Sequence, residues 1–449
     1  MEKNLAFFFQ TPSGKTYAYV GLSNEILRMN GIEDGAELTS PLTERMYESL
    51  EMNGYIRGTA FRAVRWKRSF EECVRVNACE IPHLILEVTQ HCNLSCTYCT
   101  VSGAACNTPR QTDMSLDTML RSIDFYVEHN RKYPSASISF FGGEALLRFD
   151  DIRCAVAYAE ERIQGKPLDF NISTNGVLLT AEVADWLAAH PSVLLTCTVN
   201  GPYHDLYRRT PKGEGSLDRI LHNLTYVRIH YPKVWKEQIK FLANVDKESD
   251  TFDMLDFYKK EFDRPPKMIT MIDWNGHAPD RAISSTTYAD ILRRIDFSRE
   301  GVVRDYYKDT LLPLRKRGVD RNAATACIGS CFPCTANLFV RADKTLGYCE
   351  RVSNQMAIGN LETGFDEMRL RDAYEKIQSL YAKKCMTCWA QRLCQLCLAS
   401  IVDNGGQIID CIPEMRCAAQ KRNIGNNLVL YCKLIEENPD LLQTISLEG

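Results

Sequence analysis

The chain lacks long apolar runs. No stretch of its 449 residues approaches the roughly 20 apolar residues that a membrane span needs. The first apolar run, 5–9, is too short for a secretory signal, and no small-residue cleavage site follows it. An excess of one charge is missing too. The 54 basic residues face 57 acidic ones, and the net charge of -3 offers no basic field for nucleic acid. There is no low-complexity segment and no clear repeat. These absences predict a cytoplasmic protein that binds neither membrane nor nucleic acid. The length predicts two or three domains. What the chain has in excess is cysteine, 19 in all, with eight between Cys327 and Cys397 and three between Cys92 and Cys99. In a reducing compartment such clustered thiols point to metal ligation or catalysis rather than disulfides.

Residues 1–80 read as a small separate unit. An apolar strand at 5–10, turn chemistry at Thr11-Pro12-Ser13-Gly14 and a return strand at 16–20 predict a hairpin. Ser23 is expected to cap a short amphipathic helix carrying Ile26 and Leu27, and a further helix is expected over 42–52 with Met46 and Leu50 on one face. The pattern suits a winged-helix-like module and, equally, a cap on the next domain. Over 81–310 strands alternate with helices. The candidate strands are 84–88, 136–140, 168–172, 193–199, 239–245 and 268–272, with helices capped by Ser115, Thr180 and Ser216 between them. Such alternation predicts an α/β fold, a parallel sheet curled into a partial (β/α)6 TIM barrel with its chemistry at the C-terminal strand ends. Residues 311–425 are cysteine-rich with only short regular segments, a composition that needs a metal staple. Residues 426–449 read as a terminal helix, around 426–442.

Directly after the first barrel strand stands Cys92-x3-Cys96-x2-Cys99, with Tyr98 before the last cysteine. Three thiolates on one loop can hold three irons of a cubane and leave the fourth open, whereas structural zinc wants four ligands. After the second strand comes Gly142-Gly143-Glu144, two glycines that allow close backbone approach beside a carboxylate that can accept from an ammonium group. After the third comes the polar turn Ser173-Thr174-Asn175-Gly176. After the fourth come Asn200-Gly201-Pro202 and Arg208. This ordered set resembles the radical SAM superfamily. The resemblance implies a [4Fe–4S] cluster on Cys92, Cys96 and Cys99 whose open iron chelates S-adenosylmethionine (SAM), reductively cleaved to a 5′-deoxyadenosyl radical. It implies cofactor contacts from Tyr98, Gly142, Gly143, Glu144, Ser173, Asn175 and Arg208, the last pairing with the SAM carboxylate. Asn200 departs from the pattern, which usually has aspartate there.

Cys385-x2-Cys388-x5-Cys394-x2-Cys397 follows Cys334 and Cys349 and precedes Cys411 and Cys417. A zinc knuckle is one reading of the quartet, with a short spacer for it. Behind a radical SAM barrel the region resembles the SPASM domain, which carries two auxiliary [4Fe–4S] clusters. That resemblance implies one cluster on Cys385, Cys388, Cys394 and Cys417, with Cys411 as the alternative to Cys417. It implies another on Cys334, Cys349 and Cys397, with Cys327 or Cys331 as fourth ligand. Lys344 stands where the pattern has a turn glycine, and the last spacing of the quartet is two rather than three. Of the remaining thiols, Cys154 and Cys197 are expected to be buried and inert, and Cys106 lies just beyond the first cluster.

SPASM-type relatives mostly modify peptides, and the N-terminal unit resembles modules that bind a leader peptide by strand addition, here along 5–10 or 16–20. The expected activity is therefore that of a peptide maturase of the sactipeptide or ranthipeptide type. It would install a crosslink, foremost a Cys thioether, in a ribosomally made precursor. Its electron would come from an external flavodoxin or ferredoxin. Carbon–carbon crosslinking, epimerisation and sulfatase maturation are the alternatives within the enzyme class. A noncatalytic electron carrier is the alternative outside it.

Overall fold

The computed structural model describes residues 5–99, 112–245, 249–271, 285–320, 325–333, 335–352, 356–403 and 405–442. The N-terminal unit comprises β1 (Ala6–Gln10), β2 (Thr16–Val20), β3 (Glu25–Arg28), α1 (Ser40–Met52), β4 (Ala63–Arg65) and α2 (Phe70–Cys79). Its first three strands form an antiparallel meander with β2 in the centre, while β4 pairs in parallel with a strand at Thr325–Cys327. The helix expected after Ser23 is thus a third strand. Asn24 takes a left-handed φ of 61°, which asparagine tolerates, and its Oδ1 accepts from the Tyr19 hydroxyl at 2.7 Å, so the chain reverses instead of coiling. A consequence is that 16–20 cannot offer a sheet edge, because β1 and β3 pair with both of its sides.

Both faces of the meander are covered. Ala18 and Val20 join a core with Tyr47 and Leu50 of α1, whereas Phe9 and Tyr19 join a second core with Trp389, Leu428 and Leu430 from the far end of the chain. Phe7 stacks on Trp389 at 4.5 Å. The hairpin turn is latched by Glu436, which accepts from Thr11, Ser13 and Tyr17 hydroxyls at 2.7–2.9 Å.

The barrel runs through β5 (His83–Thr89), β6 (Ser95–Cys96), α3 (Leu116–His129), β7 (Ala136–Gly142), α4 (Phe149–Arg162), β8 (Leu168–Thr174), α5 (Ala181–Ala189) and β9 (Val193–Thr198). It continues through α6 (His204–Tyr207), β10 (Arg208–Arg209), α7 (Leu217–His230), α8 (Pro232–Glu237), β11 (Ile239–Val245), α9 (Thr251–Phe262), β12 (Met268–Met271), α10 (Ser285–Arg294) and α11 (Val302–Arg315). Strands β5, β7, β8, β9, β11 and β12 lie side by side and parallel, as the alternation predicts. Ser115 and Thr180 cap α3 and α5 by accepting from the amides of Thr118 and Val183, but the Ser216 side chain makes no cap bond.

The remainder comprises β13 (Thr325–Cys327), β14 (Leu338–Val340), β15 (Thr345–Gly347), β16 (Ala357–Asn360), β17 (Gly364–Phe365), α12 (Glu367–Cys385) and α13 (Glu414–Glu437). It is more regular than its composition suggests. Strand β14 pairs in parallel with β5 and carries the sheet onward through β15, β16 and β17, so the barrel's first strand has no open edge. The 19-residue α12 buries Leu370, Ile377 and Tyr381. The terminal helix starts at Glu414, not 426, which places Cys417 in its first turn. Lys344 adopts φ 70°, the left-handed conformation that the usual glycine would supply.

Candidate functional site

The loop after β5 carries Cys92, Cys96 and Cys99, with Cys96 buried and the other two half-buried. The Leu94 amide donates to Cys92 Sγ at 3.4 Å, and the Cys99 amide donates to the Cys96 carbonyl at 3.1 Å. Burial pushes the Cys92 thiol up to about 11. The Leu94 amide opposes that rise, and Glu144, Cys96 and Cys99 add to it. Those three thiols therefore sit within electrostatic reach of one another.

The two glycines after β7 serve this loop directly. A Cβ on Gly142 would stand 2.0 Å from the Thr89 carbonyl oxygen, and one on Gly143 would stand 2.2 Å from that of His91. What they admit is thus the cysteine loop's own backbone. Glu144 is fully buried and accepts from Thr174 Oγ1 at 2.7 Å, the Asn175 amide at 2.7 Å and the Leu146 amide at 3.1 Å, clamping the ends of β7 and β8 together. Asn175 Nδ2 reaches Asn93 Oδ1 at 2.6 Å and lies 3.8 Å from Cys92 Sγ. Ser173 stands two residues beyond Asn171 on β8, and so on the same face.

Arg208 is brought to the cysteines by a two-residue ladder in which it pairs with Cys96. It is 7% exposed, and its Nε is buried without a hydrogen-bond partner. One guanidinium nitrogen donates to the Tyr98 hydroxyl oxygen at 2.9 Å, which also accepts from Asn200 Nδ2 at 3.0 Å. Behind them His204 is buried, and desolvation with help from the Arg208 charge drives its pKa down to about 3. His204 Nδ1 accepts from the Asn200 amide at 3.1 Å, which fixes the proton on Nε2, 3.1 Å from Ser216 Oγ. Ser216 in turn donates to the Arg208 carbonyl at 2.7 Å. The sequence motifs include Thr174 and Asn200 without assigning them a role at the site, and they assign none to His204 or Asn244 either. Three thiols beside a buried cation with an unpartnered nitrogen are a donor set that can hold an iron–sulfur cluster with an anionic group next to it.

In the cysteine-rich region Cys385 lies within electrostatic reach of Cys388, Cys394 and Cys417, Cys394 within reach of Cys388 and Cys417, and Cys331 and Cys349 each within reach of Cys397. Burial dominates in each case, pushing Cys385 up to about 12 and Cys394 up to about 11. Cys327 is exposed on β13, and Cys411 is exposed with its thiol toward the Ile412 carbonyl. Cys334 and Cys106 lie outside the described residues. Cys197 is buried as expected, but Cys154 is exposed, because it faces outward from α4. A cavity of about 1020 Å³ lies inside the barrel, walled by Ser139, Asn171 and Thr196 on one side and by Asn423 and Asn427 of α13 on the other. Among the described residues no helix is long and apolar enough to cross a membrane.

A family model for the Radical SAM superfamily matches residues 86–255. An uncharacterized protein of Methanocaldococcus jannaschii is 28% identical over 193 residues, 40% of this chain and 64% of that protein. The radical SAM cyclopropyl synthase TigE of Paramaledivibacter caminithermalis is 24% identical over 187 residues, 39% of this chain and 37% of that one. The chain thus spans less than two thirds of either relative. Among solved structures, native anSMEcpe with bound AdoMet superposes with a TM-score of 0.60 at 18% identity, covering 81% of this chain and 100% of that one. The same enzyme with bound AdoMet and a Kp18Cys peptide superposes with a TM-score of 0.57 at 18% identity, covering 79% and 98%. Such likenesses report the fold, while the region that the Radical SAM superfamily model matches takes in all three clustered cysteines and the ladder to Arg208.

Proposed function

We propose that this chain is a radical SAM enzyme that modifies a ribosomally made peptide with the help of two auxiliary clusters. The observation that carries this reading is the buried Arg208, its Nε unpartnered, tied by backbone pairing to Cys96 within the matched region. Cys92, Cys96 and Cys99 would hold the [4Fe–4S] cluster that binds SAM. When bound, that pair supplies reductive cleavage and a hydrogen-abstracting 5′-deoxyadenosyl radical. Arg208 would pair with the cofactor carboxylate, and Tyr98, Ser173 and Asn175 would line its place. Gly142 and Gly143 would seat the cluster loop. Glu144 would brace β7 and β8, and since a carboxylate has about four acceptor sites, of which three are filled, one is left for an ammonium group.

Cys385, Cys388, Cys394 and Cys417 would hold one auxiliary cluster. Cys331, Cys349 and Cys397 would hold the other together with Cys334. Cys327 and Cys331 are both exposed, and what favours Cys331 is that Cys397 lies within its electrostatic reach, whereas Cys417 is favoured over Cys411 because of those two only Cys411 is exposed. The peptide main chain would lie in the barrel cavity, whose carboxamide and hydroxyl walls match alternating N–H and C=O groups. A leader would add to the edge of β1 or β3. The product we favour is a thioether crosslink, with the electron delivered by an external flavodoxin or ferredoxin. Support for a peptide substrate comes from the anSMEcpe complex with its peptide. The test is to incubate precursor, reconstituted enzyme, SAM and reductant. The proposal predicts a product lighter by two hydrogens, and an unchanged mass rules out the crosslink.

A further inference from the structure

We infer that the barrel cavity selects an acidic peptide, with Lys267 taking a substrate carboxylate beside Lys240 and in the fixed charge of Arg264. This inference rests on the reading that the cavity holds the peptide, and it names the chemistry that the peptide must bring. The three cations gather around one residue, Phe241. Lys240 precedes it on β11. The Lys267 amide donates to its carbonyl at 2.8 Å. The Arg264 guanidinium stands 5.0 Å from its ring centroid and 4.4 Å from that of Trp235. All three lie at the N-terminal ends of β11 and β12, the end of the barrel away from the cysteine loop. Lys267 lines the cavity, and Lys240 shares its face of β11 with Leu242, which lines it too.

These charges are not balanced from within. Arg264 keeps Nε and Nη2 buried without a hydrogen-bond partner, and the two rings hold it in place, so it supplies charge rather than contacts. Burial, and then the Arg264 and Lys267 charges, hold the Lys240 ammonium below its usual range, and Glu237, the carboxylate in its reach, does less than either cation. The lining as a whole has the same sign. Its charged side chains are Lys267, Arg317 and Arg392 against Asp309, while burial holds His83 toward its neutral form. Arg317 spends donors on the carbonyls of Asn24 and Leu314, and Arg392 on those of Gly21, Leu22 and Thr325, yet both keep their charge. A concave site walled by protein focuses such a field. An incoming carboxylate would gain charge-assisted hydrogen bonds from an ammonium group and relieve the mutual repulsion. A neutral or cationic segment would gain neither.

The experiment compares full-length wild type, Lys267→Gln, Lys267→Arg and Lys240→Gln after anaerobic reconstitution. The probes are acetyl-Gly-Glu-Gly-amide with a side-chain carboxylate, acetyl-Gly-Gly-Gly with a terminal carboxylate, and neutral acetyl-Gly-Gln-Gly-amide. Affinities are read by saturation-transfer NMR at low salt. The wild type is expected to bind a carboxylate probe on the order of tenfold tighter than the neutral one. Which of the two it prefers tells an acidic side chain from a C-terminus. Lys267→Gln is expected to abolish the preference, Lys240→Gln to weaken it and Lys267→Arg to keep it. Thermal unfolding without probe adds a readout of opposite sign for a structural role. Lys267→Gln should raise Tm, because it removes a repelled charge, whereas loss of a structural lysine would lower it. Equal affinity for all three probes in the wild type, a preference that survives in Lys267→Gln, or a lower Tm in that variant overturns the inference. Deoxyadenosine formation is counted on the same samples. A carboxylate preference in a wild type that makes no deoxyadenosine leaves the charged cavity standing and sinks the radical SAM reading, and deoxyadenosine without the preference does the reverse.

Discussion

At the residue scale, chemistry and architecture share the same side chains. Glu144 shows this best, because every donor it satisfies belongs to the ends of two strands that flank the cysteine loop. In Glu144→Gln an amide N–H2 must face either the Asn175 amide or the Thr174–Leu146 pair, leaving buried donors opposed. We expect a loss of about 1–3 kcal/mol of stability, measured by denaturant unfolding of the apoprotein. His204 supplies a pH signature. Its folded pKa of about 3 lies below the usual 6.5, so the unfolded chain takes up the proton first. The stability it lends is complete above pH 6.5 and is lost as pH falls from there toward 3. His204→Asn, which keeps an acceptor near the position of Nδ1, should flatten the acid limb of the Tm-against-pH curve by about one proton. An unchanged slope would contradict the buried neutral imidazole. Lys344 makes the opposite point, a residue at odds with its backbone. Lys344→Gly should stabilise the fold by about 0.5–1 kcal/mol, because φ 70° costs glycine nothing and only an exposed pair with Glu362 is lost.

At the scale of elements, the alternation of strands and helices was legible because each barrel strand is a short apolar run bounded by turn residues, and the six fall within a few residues of their expected ends. The cysteine spacing and the Gly-Gly-Glu segment were legible for the same reason, since each is contiguous. What could not be read is what depends on distant partners. Strand β3 hid because Gly21-Leu22-Ser23-Asn24 looks like a helix start, and only the meander shows it to be a turn. Helix α12 and strand β14 hid behind the cysteine count. The glycines also have a role that the sequence did not show, seating the loop after β5. Gly143→Ala should accordingly displace that loop. We expect loss of iron from the SAM cluster and of deoxyadenosine formation, with auxiliary iron retained, checked by iron counts and mass spectrometry.

At the scale of the whole molecule, the two ends of the chain close on each other. The meander is held by Trp389 and by Glu436 of α13, and Arg392 donates to the carbonyls of Gly21, Leu22 and Thr325, stitching β13 and the cysteine quartet to the N-terminal unit. The barrel cavity is walled by the same α13, so cavity, terminal helix and N-terminal unit form one connected body. The meander's outer strands are β1 and β3, where the proposed leader would add. The central claim, that this chain uses Cys92, Cys96 and Cys99 to cleave SAM, is tested most directly by one measurement. The reconstituted protein is treated with dithionite and SAM, and 5′-deoxyadenosine is quantified beside a Cys92/Cys96/Cys99→Ala variant. The account predicts about twelve irons and deoxyadenosine in the wild type, and about eight irons with no deoxyadenosine in the variant. Zinc in place of iron with SAM left intact, or deoxyadenosine formed equally by both proteins, would contradict it.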